Sequence, residues 1–255
     1  MIDSCKSLRS VSIHSDELYG GYESGSDSDS EFEVDRAQHE QRLGSLLGSL
    51  AQSDGLEELH LNMIPKYKTF SGVLRSLEQP FKDLRDLSMG AAEAGSVSLL
   101  ASKLNPEYLT ALDLIINGMT LMINPLPQVG LLVNLQRLYI SYKWAPLSDI
   151  LPLKNLKCLR ILEFSHSRMD MFTDEMFISM LENWPELEFL VLTGHMSKLS
   201  TTSLTSLGKL CPRLEDCSIS GEYDLNDWQN IRRPIFPQLQ YLRLTNLVDR
   251  EGESQ

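Results

Sequence analysis

The sequence predicts an α/β solenoid, in which short parallel strands stack turn upon turn and each returns through a helix or an irregular segment on the opposite side. Three observations predict it. An apolar triplet of the form L-x-x-L-x-L, with Val, Ile, Met, Phe or Cys as substitutes, recurs nine times. Its spacing is nearly constant, and several of the intervening segments carry apolar residues at helical intervals. A period of about 20–29 residues built on this triplet is the signature of a leucine-rich repeat.

The triplets run Leu8-Val11-Ile13, Leu56-Leu59-Leu61, Leu84-Leu87-Met89, Leu109-Leu112-Leu114, Leu135-Leu138-Ile140, Leu159-Leu162-Phe164, Leu187-Leu190-Leu192, Leu214-Cys217-Ile219 and Leu239-Leu242-Leu244. From Leu56 onward the intervals are 28, 25, 26, 24, 28, 27 and 25 residues. In x-L-x-L-x the side chains alternate, so both apolar residues point to one side and their neighbours to the other. A single strand of this kind cannot bury its apolar face, whereas a parallel stack closes a continuous core. The whole chain, 1–255, therefore reads as one domain of about nine repeats.

Each return segment is read in the same way. Leu8 and Leu56 are 48 positions apart, about two periods, and the segment between them contains an acidic stretch at 16–35 expected to be a disordered insertion loop. Arg36–Ser53 then places Leu43, Leu46, Leu47 and Leu50 at helical spacing. Thr173–Asn183 opens on a capping residue followed by acids, with Met176, Phe177, Met180 and Leu181 on one side. Thr201–Leu210 repeats the scheme with Leu204, Leu207 and Leu210. Segments 118–134 and 143–155 carry several prolines, so shorter turns or irregular connections are expected there.

Composition narrows the function. The formal net charge is −12, and residues 16–35 supply −8 of it without a Lys or Arg. A chain of this charge with no basic stripe repels phosphate backbones, which argues against nucleic acid. No apolar run approaches the ~18 residues of a membrane helix, and the N-terminus lacks the pattern of a signal peptide. Four scattered cysteines form no CxxC pair, and no N-x-[ST] acceptor occurs, so an intracellular setting, cytoplasmic or nuclear, is expected. Cys211 and Cys217 lie six apart, but the repeat register makes Cys217 a core residue rather than half of a bridge.

The strand openings carry a resemblance. Trp184-Pro185-Glu186-Leu187 precedes Leu190-Val191-Leu192, and Cys211-Pro212-Arg213-Leu214 opens the following strand. Cys5-Lys6-Ser7-Leu8 and Phe236-Pro237-Gln238-Leu239 are weaker echoes. This alternation resembles the repeat region of fungal F-box proteins of the leucine-rich-repeat class. The resemblance implies a substrate-recognising repeat region of a ubiquitin ligase subunit, with the ligase adaptor as a partner only through an F-box upstream. No F-box is expected within these 255 residues, since the repeats begin at once. The alternative is a truncated, non-catalytic solenoid fragment lacking its F-box and end caps.

Residues between the apolar positions should line the concave face and become neighbours across repeats. One row reads Ser10, Glu58, Asp86, Ala111, Arg137, Ile161, Phe189, Asp216 and Tyr241. The next reads Ser12, His60, Ser88, Asp113, Tyr139, Glu163, Val191, Ser218 and Arg243, and the third includes Ile115. Aromatic and arginine side chains supply most interface hot spots. Ile115, Arg137, Tyr139, Ile161, Glu163, Phe189, Val191, Tyr241 and Arg243 are therefore the expected residues for a protein partner on that face. In the acidic stretch Ser26, Ser28 and Ser30 each precede an acid and are candidate phosphorylation sites.

Chemistry is not expected. The sequence has no G-x-S-x-G, Walker loop, H-E-x-x-H or G-x-G-x-x-G motif. The five histidines are dispersed, and no catalytic residue, cofactor or metal follows from them. His60 near Asp86 and Asp113 is the one arrangement that hints at acid–base work, and a histidine in a polar surface row is far commoner. The expected role is a protein-interaction scaffold.

Overall fold

A computed structural model describes residues 8–14, 29–62, 67–116, 123–142, 150–168, 172–195, 198–224, 226 and 235–248. Nine strands form one sheet in strict chain order, every neighbouring pair parallel. They are β1 Ser10–Ile13, β2 Glu58–Leu61, β3 Asp86–Ala92, β4 Ala111–Ile116, β5 Arg137–Tyr142, β6 Ile161–Arg168, β7 Phe189–His195, β8 Asp216–Asp224 and β9 Tyr241–Val248. Among the described residues six α-helices lie between them: α1 Asp29–Ala51, α2 Tyr67–Arg75, α3 Ala94–Ala101, α4 Leu126–Val129, α5 Asp174–Leu181 and α6 Thr201–Leu210. The chain is a leucine-rich-repeat solenoid.

Register follows from the triplets. Leu59, Leu87, Leu112, Leu138, Leu162, Leu190, Cys217 and Leu242 pair strand to strand, and so do Leu61, Met89, Leu114, Ile140, Phe164, Leu192, Ile219 and Leu244. Leu138, Leu162 and Leu190 are wholly buried. A one-residue slip would turn every one of these side chains to solvent, so the apolar alternation itself locks the pairing. The main chain adds a second lock at each strand entrance. The carbonyl of Arg9 accepts from the N–H groups of both Glu57 and Glu58, and the carbonyl of Glu57 does the same for Arg85 and Asp86. This shared acceptor recurs at Arg85, Thr110, Gln136, Arg160, Glu188 and Glu215, through to Gln240 and Tyr241.

The returns differ in kind, as their sequences suggest. α5 and α6 match the expected segments within two residues at either end. Thr173 Oγ1 accepts from Met176 N at 3.4 Å, and Ser200 Oγ accepts from Thr202 N at 3.1 Å, so each helix has its N-terminal cap. Asp174 then joins the two turns, accepting from Ser200 N at 2.9 Å and from the hydroxyls of Ser200 and Ser203. Among the described residues of the proline-rich returns, 123–134 carry the single turn α4, and 150–155 carry a 3-10 helix at Leu151–Asn155. Gly130 closes α4 where an added Cβ would stand 2.4 Å from the Pro152 carbonyl oxygen. That proximity is what lets these two compact returns pack.

The acidic stretch departs from expectation. Its last residues, Asp29 to Asp35, are helical, because α1 begins at Asp29 rather than at Arg36. Ser30 is therefore on α1, while Ser26 and Ser28 lie outside the described residues. Leu43, Leu47 and Leu50 of this helix join the core as expected. The core runs through all the inner strands and thins at the ends: Val11 and Ile13 of β1 and Leu242 and Leu244 of β9 are only partly buried.

Trp184 and Cys211 show what the strand openings do. Trp184 is wholly buried, and its indole N–H donates to the Leu153 carbonyl at 3.3 Å. The Cys211 thiol donates in turn to the Trp184 carbonyl at 3.4 Å. Both residues tie one turn to the previous one. Cys211 and Cys217 are free, buried thiols, and burial pushes each up to about 12.

Candidate functional site

One face of the sheet packs on the core; the other stays open, and the register fixes which side chains meet there. Ser10, Glu58, Asp86, Ala111, Arg137, Ile161, Phe189, Asp216 and Tyr241 form one continuous row across β1 to β9. Ser12, His60, Ser88, Asp113, Tyr139, Glu163, Val191, Ser218 and Arg243 form the second. Ile115 lies in a third row beside Ser141, Ser165 and Thr193. The Ser165 and Thr193 hydroxyls there are hydrogen-bonded at 2.9 Å.

The apolar side chains concentrate on β5 to β7. Ile161 is 37% exposed, while Tyr139, Phe189 and Val191 are half-buried by their neighbours. Ile161 stands beside Phe189, and Tyr139 is separated from Val191 only by Glu163. Ile115 is half-buried as well, one row further along β4. The structure therefore brings five of the expected residues, Tyr139, Ile161, Glu163, Phe189 and Val191, into one patch.

Arg137, also among the residues expected to meet a partner, makes contacts of its own within the face. Its Nη2 reaches Asp86 Oδ2 on β3 at 2.9 Å, crossing Ala111, the small residue that stands between them in the row. Its Nε lies 3.4 Å from Asp113 Oδ1, close enough for charge attraction but without hydrogen-bond geometry. Arg137 is thus committed to the acidic side of the face. Sequence spacing puts Arg137 two repeats from Asp86; only the alanine between them makes the reach possible, and Ala111 was the available signal.

Tyr241 and Arg243 also stand apart. Asp216 and Ser218 on β8 separate them from Phe189 and Val191. They interact with each other instead: Arg243 Nε donates to the Tyr241 hydroxyl at 3.1 Å, and the guanidinium carbon lies 5.7 Å from the ring centre. This is a local cation–aromatic pair on β9 rather than an extension of the central patch.

The electrostatics of the face are uneven. Burial pushes the Asp113 carboxyl above its ordinary value, Arg137 pulls it back in part, and Asp86 pushes it further. Burial raises Glu163 as well, with Asp113 adding to it. Glu163 pairs with no cation among the described residues. Among the described residues no group of three His, Cys, Asp or Glu side chains is placed to hold a metal ion. No described helix is long and apolar enough to cross a membrane.

No family model matches the sequence. No curated protein matches it either. Among solved structures, an internalin from Listeria monocytogenes is similar with a TM-score of 0.40 and 12% sequence identity. The match covers 80% of this chain and 66% of that one, so this chain spans about two thirds of its length.

Proposed function

We propose that the protein is a non-catalytic interaction scaffold that holds a protein partner on the open face of its sheet. Strands stack at about 4.8 Å while packed helices need about 8–10 Å, which makes the strand side the concave one. The observation that carries the reading is the patch of Tyr139, Ile161, Phe189 and Val191, set in register on three neighbouring strands. Apolar and aromatic side chains gathered on an open sheet face, rimmed by polar ones, are the composition of an interface centre. The core behind them holds their positions, so little ordering entropy opposes binding.

Cross-linking in the native cell followed by mass spectrometry tests this. The Tyr139→Ala/Phe189→Ala double variant should lose the partners that the wild-type chain retains, with its melting curve unchanged. An unchanged partner set would overturn the reading.

A finer reading makes the chain the substrate-selecting repeat region of a fungal F-box-type ubiquitin ligase subunit. It is favoured by the alternating Trp184-Pro185 and Cys211-Pro212 strand openings. An open reading frame joining an F-box to these repeats, and co-purification of the joined protein with a ligase adaptor, would support it. Absence of that frame from the source genome would exclude it.

A further inference from the structure

We infer that the partner reaches this face with a basic–apolar segment: a lysine or arginine seated at Glu163 beside Tyr139, and an adjacent apolar side chain on Ile161, Phe189 and Val191. The inference rests on the face being a protein interface, as proposed above, and adds the chemistry of what binds there.

The two central rows carry five carboxylates, Glu58, Asp86, Asp113, Glu163 and Asp216, against two guanidinium groups, Arg137 and Arg243. Neither cation serves Glu163. Arg137 turns away from it toward β3 and β4, where Asp86 and Asp113 hold it. Arg243 lies three strands off on β9, engaged with Tyr241. Among the described residues Glu58, Glu163 and Asp216 are the acids of these rows without a cation, and Glu163 is the one at the centre of the apolar patch, with Tyr139 and Val191 on either side in its row and Ile161 two residues before it on β6.

A half-buried carboxylate has lost part of its hydration without gaining a counter-charge, so its ionised form is disfavoured. An incoming ammonium or guanidinium supplies the missing charge in a setting of reduced dielectric, where the attraction exceeds its value in water. A neighbouring tyrosine ring adds to the attraction for a cation. The surplus negative charge over the face also steers a basic partner in and turns an acidic one away. Strand spacing of about 4.8 Å puts Phe189 and Val191 one strand from Glu163, and Ile161 lies on its own strand, so all three are within the span of neighbouring side chains on one segment.

The test selects a randomised twelve-residue peptide display library on the full immobilised chain, then measures synthetic representatives against variants whose melting curves match the wild type. The enriched peptides should carry Lys or Arg within three positions of a large apolar residue. Their affinity should fall at least threefold for Glu163→Gln and tenfold for Glu163→Lys, and be lost for Ile161→Asp. Glu58→Gln, four strands away, should change it less than twofold. Enrichment of neutral or acidic peptides whose binding is lost in Ile161→Asp would overturn the basic-segment inference and leave the interface reading standing. Peptides indifferent to Ile161→Asp, or no enrichment on a chain that stays monomeric, would overturn both. Self-association abolished by Ile161→Asp, with no peptide enriched, would make the occupant a second copy of the chain and overturn the inference.

Discussion

Replacing Arg137 by methionine isolates what the guanidinium contributes to the acidic half of the open face. Two carboxylates lose their shared cation, Asp86 at 2.9 Å and Asp113 at 3.4 Å, while the apolar stem of the side chain is largely kept. The side chains are 41% exposed for Arg137, 24% for Asp86 and 32% for Asp113, so solvent screens the pairs in part. A fully exposed pair is worth ~0.2–1 kcal/mol, and breaking a fully buried one from one side costs ~3–5 kcal/mol. With two half-screened pairs and a new repulsion between the acids, the loss at neutral pH should be about 1–2 kcal/mol. The sign with pH follows from Asp113. Its folded-state value is already raised, and removal of Arg137 raises it further. As pH falls through that range Asp113 protonates in the folded protein and the penalty disappears. Urea denaturation followed by far-ultraviolet circular dichroism, at about pH 7 and about pH 4, should show the difference between variant and wild type shrinking by more than half. An equal loss at both pH values would refute the electrostatic account of Arg137, and no loss at neutral pH would refute its role in holding the face.

Three further outcomes are expected. Glu163→Gln should flatten the fall of stability with rising pH. A raised folded-state value stabilises the fold at low pH and is lost as pH climbs from the ordinary 4.5 through the folded value, a slope that a denaturation series reads directly. Gly130→Ala should cost ~1–3 kcal/mol in the same assay, since its Cβ would meet the Pro152 carbonyl and force one of two tightly packed returns to shift. In site-resolved alkylation at mildly alkaline pH, the exposed Cys158 should react in the native protein, and Cys211 and Cys217 only after unfolding, because burial pushes both thiols up to about 12.

The amino-acid sequence by itself determined the stack: which residues are strands, which of their side chains face inward, and the order in which strands pair. The reason is periodicity. A two-residue alternation repeated every 24–28 residues from Leu56 onward has one efficient way to bury its leucines, and the register at Leu138, Leu162 and Leu190 follows from it. It was equally enough to place Tyr139, Glu163 and Val191 in one row. Tertiary structure decided what those side chains do once there. Arg137 is separated from Asp86 by 51 positions, and nothing local says that it bends across Ala111 toward that acid instead of lying free beside Glu163. The pairing of Arg243 with Tyr241, the hydrogen bond from Trp184 to the previous turn, and the start of α1 inside the acidic stretch are of the same kind. Direction of a long side chain, and the fraying point of a helix, depend on charges and volumes contributed by other turns. A repeat pattern fixes addresses, while the choice of partner at each address is made only when the turns come together.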